Sequence, residues 1–240
     1  MVRGVDKETP DGLPVKWFED ASRLLRYEAY KLRPARRVYI PKANGKSRPL
    51  GISSPRDKIV QQALRIVLEI VLEPKFMETS HGFRPKRGCH SALKSIRSWQ
   101  GVSWFVEGDI KSFFDSINHF ILAELLAKHF DEARLIHLYW KLVKAGYVEF
   151  EPKKKPKFYQ TLMGVPQGGI ISPLLSNLVL HELDKFIKKL QLENSKKKTK
   201  GWNPTMATLS MPDWTGESIH WTKEENQSSL NLHTETAKNY

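Results

Sequence analysis

The 240 residues predict a mixed α/β (α+β) fold in which helices pack on a small, mostly antiparallel sheet. Three stretches carry that expectation. "RRVYIPK" and "SRPLGI" alternate apolar and polar side chains on either side of the turn signal "ANGK", the pattern of a β-hairpin. "DKIVQQALRIVLEIVL", from Asp57 to Leu72, has the spacing of an amphipathic helix. "VSWFVE", residues 102–107, reads as a strand that runs straight into "GDIKSFFDSI".

Taken in order, residues 14–34 are partly helical, with Trp17, Phe18, Leu24, Leu25 and Tyr27 as the apolar set. The hairpin comes next. In the Asp57–Leu72 helix, Ile59, Val60, Ala63, Leu64, Val67, Leu68 and Val71 share one face, and Pro74 helps to end it. "HSALKSIRSWQ" continues as helix, and "HFILAELLAKHF" and "EARLIHLYWKLVKAG" make two more after the central strand. "DSINH" is a helix-start signal, with Asp115 as the expected cap. Tyr147 to Leu162 is a basic connector. "MGVPQGG" is then a glycine-rich loop leading into a long helix, with Ser172 as its cap and Pro173 as its first residue. Residues 192–240, rich in Ser, Thr, Asn and Lys, lack either period and are expected to be a disordered or unrelated tail.

The formal charge of +13 points to a polyanionic partner, nucleic acid or an anionic membrane surface. No apolar run approaches the ~20 residues that span a bilayer, which favours nucleic acid. Cys89 is the only cysteine, which excludes an internal disulfide framework and a cysteine-rich zinc site. The start "MVRGVDKETPDG" has neither an apolar signal core nor an Arg/Ser-rich presequence, so the expected setting is bacterial or the compartment of synthesis. "HELDK" opens like a zincin motif but has Lys185 where the second histidine belongs, and no G-x-S-x-G elbow is present.

Four groups of residues remain. Asp109 and Asp115 stand six positions apart around two phenylalanines. A carboxylate at a strand end can hold magnesium for phosphoryl transfer, and it can equally be an ordinary strand terminus; for Asp109 both readings stand. The segment containing Arg33, Arg36, Arg37, Lys42, Lys46 and Arg48 has no acidic residue and studs the hairpin with cations suited to phosphates. "GFRPKRGCHSALKSIR" puts Arg84, Lys86 and Arg87 on a punctuated loop before a helix. In "GVPQGG" the glycines allow close backbone approach, and Gln167 offers both donors and acceptors.

Together these pieces resemble the group II intron-encoded reverse transcriptases, the maturases, above all the organelle-encoded branch. "RRVYIPKANGKSRPLGISSPRDKIVQQAL", "SHGFRPKRGCHSAL", "GDIKSFFDSINH" and "GVPQGGIISPLLSNLVLHELDKF" occur in that family's order and spacing, over roughly residues 4–190. "GVDKETPDGLPVKWFED" is similar to its N-terminal extension, which is involved in binding template and intron RNA. The resemblance implies a right-hand polymerase: N-terminal extension over residues 1–35, fingers over 36–101 and a partial palm over 102–191. It implies that Asp109 and the Ile110 carbonyl bind catalytic Mg2+, and that Phe114 is the steric gate against a 2′-hydroxyl. It likewise implies that Lys42 and Arg48 contact the triphosphate of a deoxynucleoside triphosphate, with Gln167 beside it. Arg36, Arg37, Arg84, Lys86 and Arg87 would bind a template–primer or intron RNA.

The family's paired-aspartate motif is missing, because no Asp-Asp occurs anywhere in the chain. The expectation is therefore an RNA-directed DNA polymerase fragment, truncated before that motif, that is inactive alone or completed by a second polypeptide. A non-catalytic intron-RNA-binding splicing factor and an inactive reading-frame remnant are the rivals. The organelle-type resemblance favours a mitochondrion over a plastid or bacterial cytoplasm.

Overall fold

A computed structural model of the chain describes residues 4–6, 8, 12–41, 45, 47–100, 110, 112–150, 153–166, 168–197, 210–211 and 219–220. It divides into two units, Met1–Phe186 and Ile187–Tyr240. The expected strand over 102–107 lies outside the described residues.

In the first unit, α1 (Val15–Arg26) follows Pro14 and carries Arg23 and Arg26 in its last turn, where cations suit the helix dipole. Its Ala21 packs with Tyr30 and Val60 in a small core flanked by Trp17, Leu25 and Leu32. β1 (Ala35–Pro41) and β2 (Ser47–Ile52) form the antiparallel hairpin the alternation predicts, in register from Arg36↔Ile52 to Pro41↔Ser47. Next, α2 (Pro55–Leu72) starts as a helix should: Ser54 accepts from the Asp57 amide and Pro55 opens the first turn. Asp57 is 2% exposed. Its carboxylate takes hydrogen bonds from the Tyr30 hydroxyl at 3.0 Å, the Arg33 amide at 2.9 Å and the Ser54 hydroxyl at 2.9 Å. Burial, then the Asp57 charge, pushes the Tyr30 hydroxyl far above its usual pKa.

The face read on α2 is only partly core. Val60, Leu68 and Leu72 are buried, but Val67 is 52% exposed. Val67, Ala63 and Leu64 instead line a cleft opposite Leu135 and Leu138. Periodicity tells which residues share a face, not which element covers it.

After α3 (Cys89–Arg97) and the single turn α4 (Phe113–Ser116) come α5 (His119–Ala127) and α6 (Ala133–Lys144). The cap of α5 is Asn118, whose side chain accepts from the amides of Phe120 at 2.8 Å and Ile121 at 3.3 Å, so Asp115 does not cap it. The expected basic connector is a hairpin, β3 (Tyr147–Glu149) with β4 (Lys157–Tyr159). β3 adds to β1 in parallel, giving a four-stranded sheet in the order β2-β1-β3-β4. Three-residue strands are too short to show a period. Gly146 opens the hairpin at φ +73°, where a Cβ would come within 2.5 Å of the Tyr159 carbonyl.

The long helix α7 (Ser172–Lys197) contributes Leu174, Leu175, Leu178 and Val179 to the core, which also holds Leu122 and Leu126 of α5 and Leu142 and Val143 of α6. The Ser172 hydroxyl is not a cap: it donates to the Pro166 carbonyl at 2.8 Å and fastens the preceding loop. The second unit holds the last residues of α7 and an antiparallel pair, β5 (Ser210–Met211) with β6 (Ile219–His220). The rest of the expected tail, residues 198–209, 212–218 and 221–240, lies outside the described residues. Among the described residues no helix is long and apolar enough to cross a membrane.

Candidate nucleotide and nucleic-acid interface

The segment Gly164–Ile170 is the keystone of the site. At its start Gly164 has φ +84°, and a Cβ there would lie 2.7 Å from the carbonyls of both Phe114 and Asp115. That contact requires glycine. The Gly164 amide donates to the Ile117 carbonyl at 2.8 Å and the Val165 amide to that of Phe114 at 2.7 Å. His119, only 4% exposed, donates from Nε2 to the Gly164 carbonyl at 2.6 Å. Burial, with a smaller push from Lys144, lowers the imidazole pKa against the opposing pull of that bond. The carbonyl can only accept, so Nε2 carries a proton, and burial disfavours a second one on the ring.

At the far end Gly168 has φ +97°, and a Cβ would come within 2.7 Å of the Gly51 carbonyl and 2.8 Å of a Leu50 methyl. Gln61, buried in α2, accepts from the Ile170 amide at 3.1 Å and donates to the Ser53 hydroxyl at 3.1 Å. One loop thus joins the Phe114 turn to the return strand of the hairpin.

That junction decides which expected residues meet. Leu50 pairs with Val38 and Arg48 with Ile40, so Leu50, Arg48, Val38, Ile40 and Arg36 share one face of the sheet. The loop packs on Leu50, on that face. Phe114 is half-buried, with its carbonyl bonded to the loop, and Arg48 is exposed. Ile110 is 39% exposed. Gln167, Lys42 and Asp109 lie outside the described residues.

Arg37 belongs to the opposite face. Its guanidinium lies 4.0 Å from the centre of the Tyr147 ring, and Tyr147 stacks on Tyr159 at 5.1 Å. Lys157 sits 4.9 Å from the Tyr159 ring and Arg36 5.4 Å from that of Phe150. The two neighbouring arginines therefore lie on opposite faces of the sheet, each beside an aromatic ring.

Arg84 requires a correction. Its side chain is 4% exposed and forms an ion pair with Glu73 at 2.8 Å. Its Nη1 also donates to the carbonyls of Met77 at 2.6 Å and Ser80 at 2.8 Å. A guanidinium so enclosed braces the loop, and its bonds to Glu73, Met77 and Ser80 occupy it. Arg87 holds Glu78 through carbonyl and carboxylate at 2.8 and 2.5 Å, which keeps the Glu78 carboxyl below its usual pKa. Lys86 is exposed. Gln61 and His119 went unread because a polar side chain inside an amphipathic run has no period of its own. The signal for Gln61 was its place beside Val60 on the buried side of α2.

Among the described residues no group of three or more His, Cys, Asp or Glu converges that could hold a metal ion. Asp115, the second carboxylate of the motif, is exposed.

A reverse transcriptase (RNA-dependent DNA polymerase) family model matches residues 40–203. The chain belongs to that family, and its relatives place it with the group II intron-encoded proteins. It is 45% identical to the group II intron-encoded protein LtrA of Lactococcus lactis subsp. cremoris, over 80% of this chain and 31% of that protein. It is also 45% identical to a 91 kDa protein in the cob intron of Schizosaccharomyces pombe, over 80% of this chain and 23% of the other. Identity to a COX1/OXI3 intron 1 protein of Saccharomyces cerevisiae is 35%, over 88% of this chain and 25% of the relative. The chain thus spans between 23% and 31% of the length of these relatives.

Proposed function

We propose that this chain supplies the fingers and part of the palm of an RNA-directed DNA polymerase that acts on group II intron RNA and assists its splicing and mobility. The observation that carries the reading is the loop Gly164–Ile170, which ties Phe114 to the sheet face bearing Arg48. In this reading Arg48 and Lys42 hold the triphosphate of a deoxynucleotide, Phe114 checks its sugar, and Gln167 lies beside it. Asp109 and the Ile110 carbonyl are the assigned ligands of magnesium, which when bound neutralises phosphate charge. Lys86 and Arg87, with Arg36 and Arg37, bind template–primer or intron RNA. The mitochondrial intron relatives support an organelle-encoded origin and a mitochondrial setting.

The test is primer extension on an RNA template with Mg2+ and deoxynucleotides. The chain alone should extend nothing, because it contains no Asp-Asp pair. A second polypeptide carrying the paired aspartates should restore extension, and Arg48→Ala should then raise the KM for deoxynucleotide. Extension by the unaided chain would refute the need for completion. The missing pair also favours a second reading, a non-catalytic splicing factor. Under it, intron-RNA binding and splicing assistance persist with Phe114→Ala and no supplement ever restores extension.

A further inference from the structure

Phe83 stands apart from every role assigned so far. A phenylalanine is normally a core residue, yet this one is 67% exposed. Its backbone also sits at φ +55°, a left-handed conformation that a bulky side chain rarely adopts. Such an outlier is retained only where the surroundings enforce it.

The surroundings do enforce it. Beneath the loop, Arg84 clamps Glu73 and the carbonyls of Met77 and Ser80. Asn177 of α7 donates to the Gly82 carbonyl at 2.8 Å, immediately before the ring. His81 is tied to Ser91 of α3 at 2.9 Å. His81 and Arg84 on either side of Phe83, with Asn177 of α7, therefore fasten the loop that carries the exposed ring.

The ring walls a cleft of about 300 Å³ that also touches Pro85, Pro173, Leu174 and Arg65. That is the size of the smallest ligand clefts, roughly 300–1,000 Å³. The two carboxylates that reach it, Glu69 and Glu73, are each ion-paired, with Arg65 at 3.1 Å and Arg84 at 2.8 Å. Lys86, exposed, and Arg87 follow within four residues on the same loop. An aromatic face beside flat prolines, with the paired Arg65 and Arg84 in the lining and Lys86 exposed nearby in the chain, fits a nucleobase.

We propose that Phe83 is a stacking platform for one unpaired nucleobase of a single-stranded nucleic acid, seated in the cleft it forms with Pro85, Pro173 and Leu174. The proposal rests on the nucleic-acid reading given above and adds a base contact to its phosphate contacts.

The test measures binding of a labelled single-stranded RNA oligonucleotide to the full chain across a salt series, with an abasic oligonucleotide as control. Phe83→Gly is the informative variant, because glycine accepts the left-handed backbone and the ring is lost without added strain. It should keep or raise the melting temperature and weaken RNA binding about tenfold, the scale of one base–aromatic stack. The salt slope should not change, and the abasic control should bind both proteins alike. Phe83→Trp should retain binding. Lys86→Ala should do the converse and lower the salt slope by about one. Equal RNA affinity for Phe83→Gly and the unsubstituted chain overturns the platform while leaving the nucleic-acid reading intact. A parallel loss on the abasic control also overturns it, because phosphates alone would account for the effect. Failure of the unsubstituted chain to bind RNA at all removes the reading and the platform together.

Discussion

Arg84 shows how far a side chain's role depends on what closes over it. In the sequence it is one cation among three in "GFRPKRG"; in the fold its guanidinium is enclosed with Glu73 and two backbone carbonyls. Removing one partner of such a pair leaves a buried charge and unsatisfied carbonyls. Arg84→Ala should therefore lower stability by about 3 kcal/mol, read as a shift in the urea midpoint. Lys86→Ala, two positions on, should stay within about 0.5 kcal/mol of the parent. Equal effects would contradict the assignment. Histidines act at the same scale. Burial first, with nearby cations adding, lowers the pKa of His119 and His181 below the ordinary value of 6.5. The unfolded chain then takes up protons before the folded one, so their contribution is complete above about pH 6.5 and is lost as pH falls through the lowered folded values. Around His181, Lys185 and Arg84 also oppose protonation while Glu182 favours it. Asp184, raised by burial, has the opposite sign, but it acts near the carboxylate range. The melting temperature should fall between pH 7.5 and 5.5; a flat profile would mean that the imidazoles are not held neutral.

At the scale of elements, the keystone loop makes the sharpest prediction. Gly45, at φ +76°, faces open space, so Gly45→Ala should cost only about 1 kcal/mol, from backbone preference alone. Gly168→Ala adds a collision with the Gly51 carbonyl at 2.7 Å and should cost more than about 2 kcal/mol. Gln61→Leu leaves the Ile170 amide and Ser53 hydroxyl without their bonds, a loss of about 1–3 kcal/mol. Thermal or urea unfolding of the three variants measures the order, and a Gly45→Ala loss as large as that of Gly168→Ala would sink the packing account. The β1–β2 hairpin was legible because seven and six residues suffice to show alternation around a turn. The β3–β4 hairpin was not, since it holds through addition to β1 and the Tyr147–Tyr159 stack.

For the whole molecule the controlling quantity is the charge of +13. If the chain covers several phosphates, its affinity for RNA should fall steeply with salt, by about 10³–10⁵ between 50 and 200 mM for six to ten contacts. A binding curve that ignores salt would exclude a phosphate-dominated interface. Cations also divide between uses. Arg48 and Arg36 share the face on which the loop packs, Arg37 caps a tyrosine stack on the other face, and Arg84 is enclosed. Net charge therefore sets the class of partner without fixing where it binds.

By itself, the sequence determined the family, the hairpin, the main helices and the charge that favours a polyanionic partner. All of these are written in local period, motif spacing and composition. Only the tertiary structure decided that Arg84 is a brace, that Asn118 and not Asp115 caps α5, and that Gln61 and His119 hold the two ends of one loop. The two loop anchors depend on contacts far apart in the chain, 109 positions for Gln61 with Ile170 and 45 for His119 with Gly164, whereas the Asn118 cap and the Arg84 brace close over 2 to 11 positions. Whether a polar side chain meets solvent, a ligand or a buried amide is set by the element that packs over it, and no local pattern encodes that neighbour.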